Sequence, residues 1–309
     1  MRGWWQEFAD LVLPAECAGC GRPRTVLCPA CRTALNGAGA GRVRPEPEPS
    51  GLPAVHAAAR YGDAVRAVLL AHKERGALAL SAPLGAALAR AVRAGAGDLL
   101  RAPGRWSSPV LLVPVPSARG AVRARGHDPA RRIALAAAAE LRRAGTPARV
   151  LAVLRQRRAV ADQSGLNSRQ RLDNLAGALA VAPGGGRLLG EGPVVLVDDL
   201  MTTGASLAEA ARAVREGLAE GVTEGVARGR ADAAGVELRS GRPDLRVGGG
   251  RAVCFPATRE DRGERSTEVT AETVRRHGVP VMAGSIRPGG LMCAAVVAAP
   301  PDAFEINRN

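Results

Sequence analysis

Lysine is almost missing from this chain of 309 residues: Lys73 is the only one, although lysine and arginine together number 43. The basic side is therefore arginine. With abundant alanine and glycine, that bias is what a GC-rich coding sequence produces, so the net charge of +14 is partly a coding effect. Excess positive charge still favours phosphates, nucleic acid or anionic surfaces. Aromatic residues are equally scarce, namely Trp4, Trp5, Trp106, Tyr61, Phe8, Phe255 and Phe304, which argues against a platform that stacks the bases of a single strand. No uninterrupted apolar stretch reaches about 18 residues without a charge or a Gly/Pro break, which removes a membrane-spanning helix. The order of basic, apolar and small residues that marks a secretory signal is also missing at the N-terminus, and the sequence reads as that of a soluble, cytoplasmic protein.

What the chain does have begins with cysteine. Four of its six cysteines, Cys17, Cys20, Cys28 and Cys31, form C-x2-C-x7-C-x2-C. In a reducing compartment this spacing predicts a tetrahedral zinc site, with a redox dithiol pair as the alternative. Gly19 and Gly21 permit the tight turn that aims amide N–H groups at thiolate sulfurs, and Pro29 stiffens the second knuckle. Cys254 and Cys293 lie far away in sequence and read as ordinary thiols.

The densest signal is residues 194–206, Val-Val-Leu-Val-Asp-Asp-Leu-Met-Thr-Thr-Gly-Ala-Ser. Val194 to Val197 is short, β-branched and bounded by Gly192-Pro193, as a buried parallel strand requires. Asp198 and Asp199 then fall at the carboxyl end of that strand, where open α/β sheets bind ligands. The turn Thr202, Thr203, Gly204, Ala205, Ser206 offers backbone N–H groups and three hydroxyls at the start of a helix, a cradle for a dianionic phosphate. Adjacent carboxylates beside a phosphate suit ribose hydroxyls or a hydrated magnesium ion. Strand–acid–glycine–helix turns of other function form the bland alternative.

A second constellation follows the apolar run Val110-Leu-Leu-Val-Pro-Val. Ser117, Arg119, Arg123, Arg125, His127 and Asp128 lie in a proline-constrained loop with the bidentate, permanently charged donors that a diphosphate needs; a solvated basic loop is the competing reading. His127 reads as a structural or hydrogen-bonding residue, not a general base. Between the two phosphate stretches, residues 161–175 carry Asp162, Gln163, Asn167, Arg171 and Asn174, which fits either a segment closing over ligand or a capped surface helix. Lys73 follows an apolar helical face made by Val65, Val68 and Leu69. In a chain that uses arginine everywhere else, a lone lysine marks a place for a compact ammonium.

The organisation expected from these patterns is a zinc-ribbon module at 1–35, with Trp4, Trp5, Phe8 and Leu11 forming an apolar helical stripe. A Gly/Pro/Glu-rich linker follows at 36–54. Alternating helices and strands over 55–216 predict an α/β domain with a parallel sheet. The helix begun at Ser206 is expected to end soon after Val214. Residues 217–290 are glycine-rich, charged and weakly periodic, and read as a flexible insertion. Alternation resumes at Met292, so residues 291–309 supply a last strand of the same sheet.

In order along the chain, Ala71-His-Lys73-Glu-Arg-Gly76, the Val-Pro-Val-Pro…Arg-Gly-His-Asp loop, Asp162-Gln163…Leu166…Arg171…Asn174-Leu175 and Asp-Asp…Thr-Thr-Gly resemble the ComF family of amidophosphoribosyltransferase-like proteins. The four-cysteine knuckle matches that family too, and the likeness covers roughly residues 10–216 and 291–309. The resemblance implies a type I phosphoribosyltransferase fold joined to a zinc ribbon, binding 5-phosphoribosyl-1-pyrophosphate (PRPP) with magnesium. It also implies roles: Asp198 and Asp199 on the ribose hydroxyls, residues 202–206 on the 5-phosphate, Ser117, Arg119, Arg123 and Arg125 on pyrophosphate, with Lys73, Gln163 and Arg171 as accessory residues. The expected activity is phosphoribosyl transfer to an unknown acceptor. The alternative is a non-enzymatic DNA-uptake factor of natural competence, binding single-stranded DNA or the competence helicase machinery with PRPP as ligand. His127-Asp128-Pro129 departs from the Phe-Asn-Gln usual after the Arg-Gly pair.

Overall fold

The computed structural model describes residues 16–37, 39–100, 108–158, 160, 167–239 and 292–304. Its helices and longer strands are, in chain order, α1 (Pro29–Asn36), β1 (Gly41–Val43), β2 (Val55–Arg60), α2 (Asp63–Glu74), α3 (Ser81–Leu100), β3 (Val110–Pro114), α4 (Arg119–Arg125), α5 (Pro129–Arg143), β4 (Ala148–Val150), β5 (Leu154–Gln156), α6 (Ser168–Leu175), β6 (Leu179–Val181), α7 (Gly185–Leu189), β7 (Val194–Leu200), α8 (Ala205–Arg239) and β8 (Met292–Ala299). The chain divides into two compact units, Met1–Arg228 with Arg287–Asn309, and Gly229–Ile286. Of the second, only the end of α8 up to Arg239 is described. None of the described helices is long and apolar enough to cross a membrane.

Six strands form the central sheet in the order β1-β2-β8-β7-β3-β4, parallel throughout except for the antiparallel edge strand β1. The α/β architecture with a mostly parallel sheet is as the sequence predicts. Both faces are covered, which is why β3 and β7 read as continuous apolar runs instead of alternating. Val110, Leu112, Val195 and Val197 pack in one core with Leu84, Leu88 of α3 and Ile133, Ala137 of α5. Leu111, Val113, Val194 and Leu196 pack in the other with Leu207, Ala210, Ala211 and Val214 of α8. Alanine-rich helices let the layers approach closely. A Cβ on Gly85 of α3 would stand 2.4 Å from the Ala136 Cβ of α5.

The strand order carries a functional consequence. From β3 the chain moves outward to β4 through α5 on one face, and from β7 it moves the opposite way to β8 through α8 on the other. The carboxyl ends of β3 and β7 therefore flank a switch point, the crevice where open parallel sheets bind ligands.

Three expectations about organisation need correction. The four-cysteine segment is not a separate module, because Cys17, Leu27, Cys28, Cys31 and Leu35 share one core with α2, α3 and the sheet. Residues 36–54 are not a linker. Arg42 and Val43 pair with β2, the Arg44 N–H donates to Ala303 O at 2.7 Å, and Val43 is buried; the prolines Pro45, Pro47 and Pro49 all follow the strand and leave it free to pair at the sheet edge. The helix after Ser206 does not stop near Val214, and the boundary placed at 216 falls inside α8. Its glycines, which look like helix breakers, are contact points: a Cβ on Gly217 would lie 2.6 Å from Val181 Cγ2, and one on Gly186 of α7 would lie 2.1 Å from Gly217 O. The remainder of the proposed insertion, 240–290, lies outside the described residues, as does the Trp4–Leu11 stripe.

This backbone-to-backbone contact is testable. Gly186→Ala is expected to destabilise the protein by roughly 1–3 kcal/mol, the usual cost of overpacking. It should appear as a lower urea midpoint with an unchanged slope. A wild-type midpoint would mean that α7 and α8 separate freely.

Candidate functional site

The loop after β7 places its polar groups at the switch point. Met201 is buried and anchors it, Gly204 takes a left-handed φ of 75°, and α8 begins at Ala205. A side chain at Gly204 would be strained at that φ and would meet Leu52 and Pro45 at 3.1 and 3.2 Å, so the proline-rich stretch backs the loop after β7. Asp198, Thr202, Thr203, Gly204, Ala205 and Ser206 together line a small cradle of about 30 Å³ at the helix start.

Beside it opens a crevice of about 580 Å³ whose walls include Lys73, Ser117, Arg125, Asp198, Asp199, Thr202 and Ser206. Loops after β3 and β7 and the end of α2 thus converge on one space. Lys73 Nζ lies 3.1 Å from Asp199 Oδ2, and the Asp199 N–H donates to Asp198 Oδ1 at 2.8 Å. Burial and the neighbouring Asp199 push the Asp198 carboxyl well above the usual carboxylate range, with Lys73 pulling the other way. Burial opposes the charge on Lys73, but Asp199 and Asp198 outweigh it and hold the ammonium in its protonated form. Two acids and one ammonium thus share one partly dry crevice, an arrangement that can meet cations or hydroxyl groups.

The arginine loop divides. Arg125 lines the crevice, has Glu74 Oε2 3.6 Å from its Nε, and leaves its buried Nη1 without a partner. Arg119 and Arg123 are exposed on α4 and do not line it. Asp128 organises the loop, capping α5 through the Arg131 N–H at 3.1 Å and accepting from the Ser117 N–H at 3.3 Å. Of the stretch at 161–175, Gln163 lies outside the described residues. Its second half is a capped helix, with Asn167 and Gln170 forming a reciprocal capping box. That helix also turns Arg171 towards the loop, where Nη1 donates to Thr202 Oγ1 at 3.4 Å and Nε stays buried without a partner. Unpartnered buried guanidinium nitrogens are costly; Arg125 carries one at the crevice wall and Arg171 another beside Thr202.

Some wall residues carried no signal in the sequence. Gln156, Leu175 and Leu179 reach the crevice because Glu209 and Arg212 of α8 clip β6 in place: the Leu179 N–H donates to Glu209 Oε1 at 2.9 Å and Arg212 Nη2 donates to Leu179 O at 2.8 Å. His72, next to Lys73, is also buried. Burial and the neighbouring His127 lower its imidazole to about 4. Ser81 Oγ donates to Leu78 O, so it accepts from His72 Nε2, and the neutral ring keeps its Nδ1 as an unpartnered lone pair.

The second centre is the cysteine cluster. The sulfurs of Cys17, Cys20, Cys28 and Cys31 lie within 4.8 Å of one another, and Cys20 and Cys28 are 3.6 Å apart. Four thiolates at about 2.3 Å from zinc, tetrahedrally placed, sit some 3.8 Å apart, so the donor set fits that ion. The local fold prepares it. Gly19 passes where a Cβ would strike Cys31 Sγ at 2.7 Å, Pro29 opens α1, and the N–H groups of Cys28 and Cys31 donate to the sulfurs of Cys17 and Cys28. Burial opposes ionisation of Cys17, yet the N–H groups of Cys28, Gly19 and Cys20 bring its thiol down to about 6. Burial and the other three sulfurs push Cys31 up. Only a cation lets all four ionise together.

The chain matches no known protein-family profile and no curated protein.

Proposed function

We propose that this protein binds PRPP together with magnesium and transfers its phosphoribosyl group to a nucleophilic acceptor, on a type I phosphoribosyltransferase-like scaffold that also holds one structural zinc ion. The observation that carries the reading is the crevice at the β3/β7 switch point, where a phosphate cradle, an acid pair and the cations Lys73 and Arg125 share one space. The 5-phosphate occupies the cradle of residues 202–206 at the positive end of α8. Asp198 and Asp199 hold the ribose hydroxyls. Magnesium, when bound beside these carboxylates, neutralises charge on the diphosphate. Arg125, Lys73 and the loop of Ser117 face the departing diphosphate, and Arg171 supports the cradle through Thr202.

The bond broken joins the anomeric carbon to a diphosphate oxygen, whose electron pair leaves with the diphosphate. The acceptor's lone pair forms the new bond from the opposite face, and configuration inverts. Fixed cations around the leaving group and fixed contacts to the ribose supply the stabilisation, by preorganised electrostatics and positioning. Calorimetric titration of PRPP with and without magnesium, with phosphorus NMR to follow pyrophosphate release, tests the reading. Absence of PRPP binding to the zinc-loaded protein would sink it.

Lys73→Arg probes the ammonium specifically. The charge is kept but the wide guanidinium fork cannot take the place of a point charge at Asp199, so PRPP affinity should fall roughly tenfold. Wild-type affinity would mean that Lys73 serves Asp199 and not the ligand.

A second reading, a DNA-uptake scaffold, draws on Arg119, Arg123, Arg131 and Arg132, which are exposed on the neighbouring helices α4 and α5. Single-stranded DNA binding with a steep salt dependence and no turnover would favour it.

A further inference from the structure

His127 is 8% exposed, and each of its ring nitrogens faces a main-chain carbonyl. Nδ1 lies 3.1 Å from Arg125 O and Nε2 lies 3.2 Å from His72 O. Carbonyl oxygens only accept. A neutral imidazole has one N–H, so it bonds one of these oxygens and turns a lone pair on the other, whereas an imidazolium donates to both. Both oxygens also sit at the ends of helices, in the last turn of α2 and at the last residue of α4. Helix carboxyl ends carry partial negative charge and favour a cation.

The two carbonyls belong to the two stretches that bring cations into the crevice. His72 precedes Lys73, and Arg125 is itself a lining residue. Near the outside of the same junction, Glu74 Oε2 approaches Arg125 Nε at 3.6 Å. We propose that His127 is a positioning residue whose imidazolium clamps the backbone before Lys73 to the backbone of Arg125, setting the spacing of the two cations that meet a phosphate-bearing ligand. This rests on the PRPP reading. Charged and titratable groups on the adjoining stretches are Lys73 and Glu74 of α2, Arg125 and Asp128 of its own loop, Arg131 and Arg132 of α5, Asp199 of β7, and His72. The last meets it edge-on with ring centroids 5.6 Å apart and is neutral above about pH 4.

Nitrogen-15 NMR of the zinc-loaded full chain, with the His127 signals assigned by their loss in His127→Phe, counts the ring protons directly. Titrations of PRPP and of inorganic pyrophosphate across pH run beside it. Both nitrogens are expected to be protonated under the conditions where ligand binds. His127→Phe keeps the ring and loses both bonds, and should bind both ligands roughly tenfold more weakly, about the value of one charge-assisted hydrogen bond. If His127→Phe does not fold, His127→Gln, which cannot span both carbonyls, takes its place with a smaller loss. A neutral ring in the folded protein, or wild-type affinity in the variant, overturns the proposal. If wild type binds neither ligand, the phosphoribosyl reading fails by itself, and the ring spectrum still decides whether the clamp exists.

Discussion

Replacing Asp198 and Asp199 together by asparagine is expected to abolish PRPP binding, a loss of at least about 100-fold or 2.7 kcal/mol, while the protein stays folded. On the proposed reading the carboxylates serve a ligand and not stability. Burial and Asp199 raise the Asp198 carboxyl, so the folded state keeps a proton that the unfolded chain releases. Stability is then greatest below the ordinary carboxylate range and falls as pH rises towards the folded value of Asp198, above which the full penalty applies. Asp198→Asn alone should therefore raise the urea midpoint at neutral pH and flatten its pH dependence. The same raised carboxyl predicts proton release when magnesium and PRPP arrive, seen as a buffer-dependent heat in calorimetry. Unchanged PRPP affinity in a folded double variant would remove the main site from this crevice.

Loss of the metal at Cys17, Cys20, Cys28 and Cys31 should have the largest effect on stability. Zinc contributes on the order of 10 kcal/mol to the folding of zinc-finger peptides. Here the cluster is built into the main core through Leu27, Leu35, Val68 and Leu84. Chelation, or Cys28→Ser at a fully buried ligand, should therefore lower the melting temperature of the whole α/β unit in one transition, not melt an N-terminal segment alone. Metal analysis should find one zinc per chain. A metal-free protein purified under reducing conditions, with an unchanged melt, would refute this.

Much of the site was legible because it is local. Val194 to Ser206 encodes strand, acid pair, turn and helix start within one short run, and the four cysteines encode their cluster by spacing alone. Lys73 was legible through its rarity, and its partner Asp199 lies 126 positions away in the numbering yet 3.1 Å away in space. What stayed hidden is non-local or depends on shape. Nothing near Gln156 or Leu179 announces that Glu209 and Arg212 will hold them at the crevice wall. Gly217 and Gly221 read as helix breakers because a missing side chain looks the same in sequence whether it loosens a helix or admits a neighbour. Proline and glycine at 45–52 read as spacer for a similar reason, since their contacts with Gly204 and Arg215 lie far along the chain.

That last contact bears on how the protein can be trimmed. Pro45 and Leu52 fill the space a Cβ on Gly204 would need, and Arg215 Nη2 donates to Gly51 O at 2.9 Å. An engineer seeking a minimal catalytic fragment would cut before Val55, where the alternating pattern begins. Such a fragment would keep every residue proposed to meet PRPP and discard the wall behind the turn at 202–206. The shortest fragment that keeps this crevice intact is therefore longer than the list of its lining residues implies.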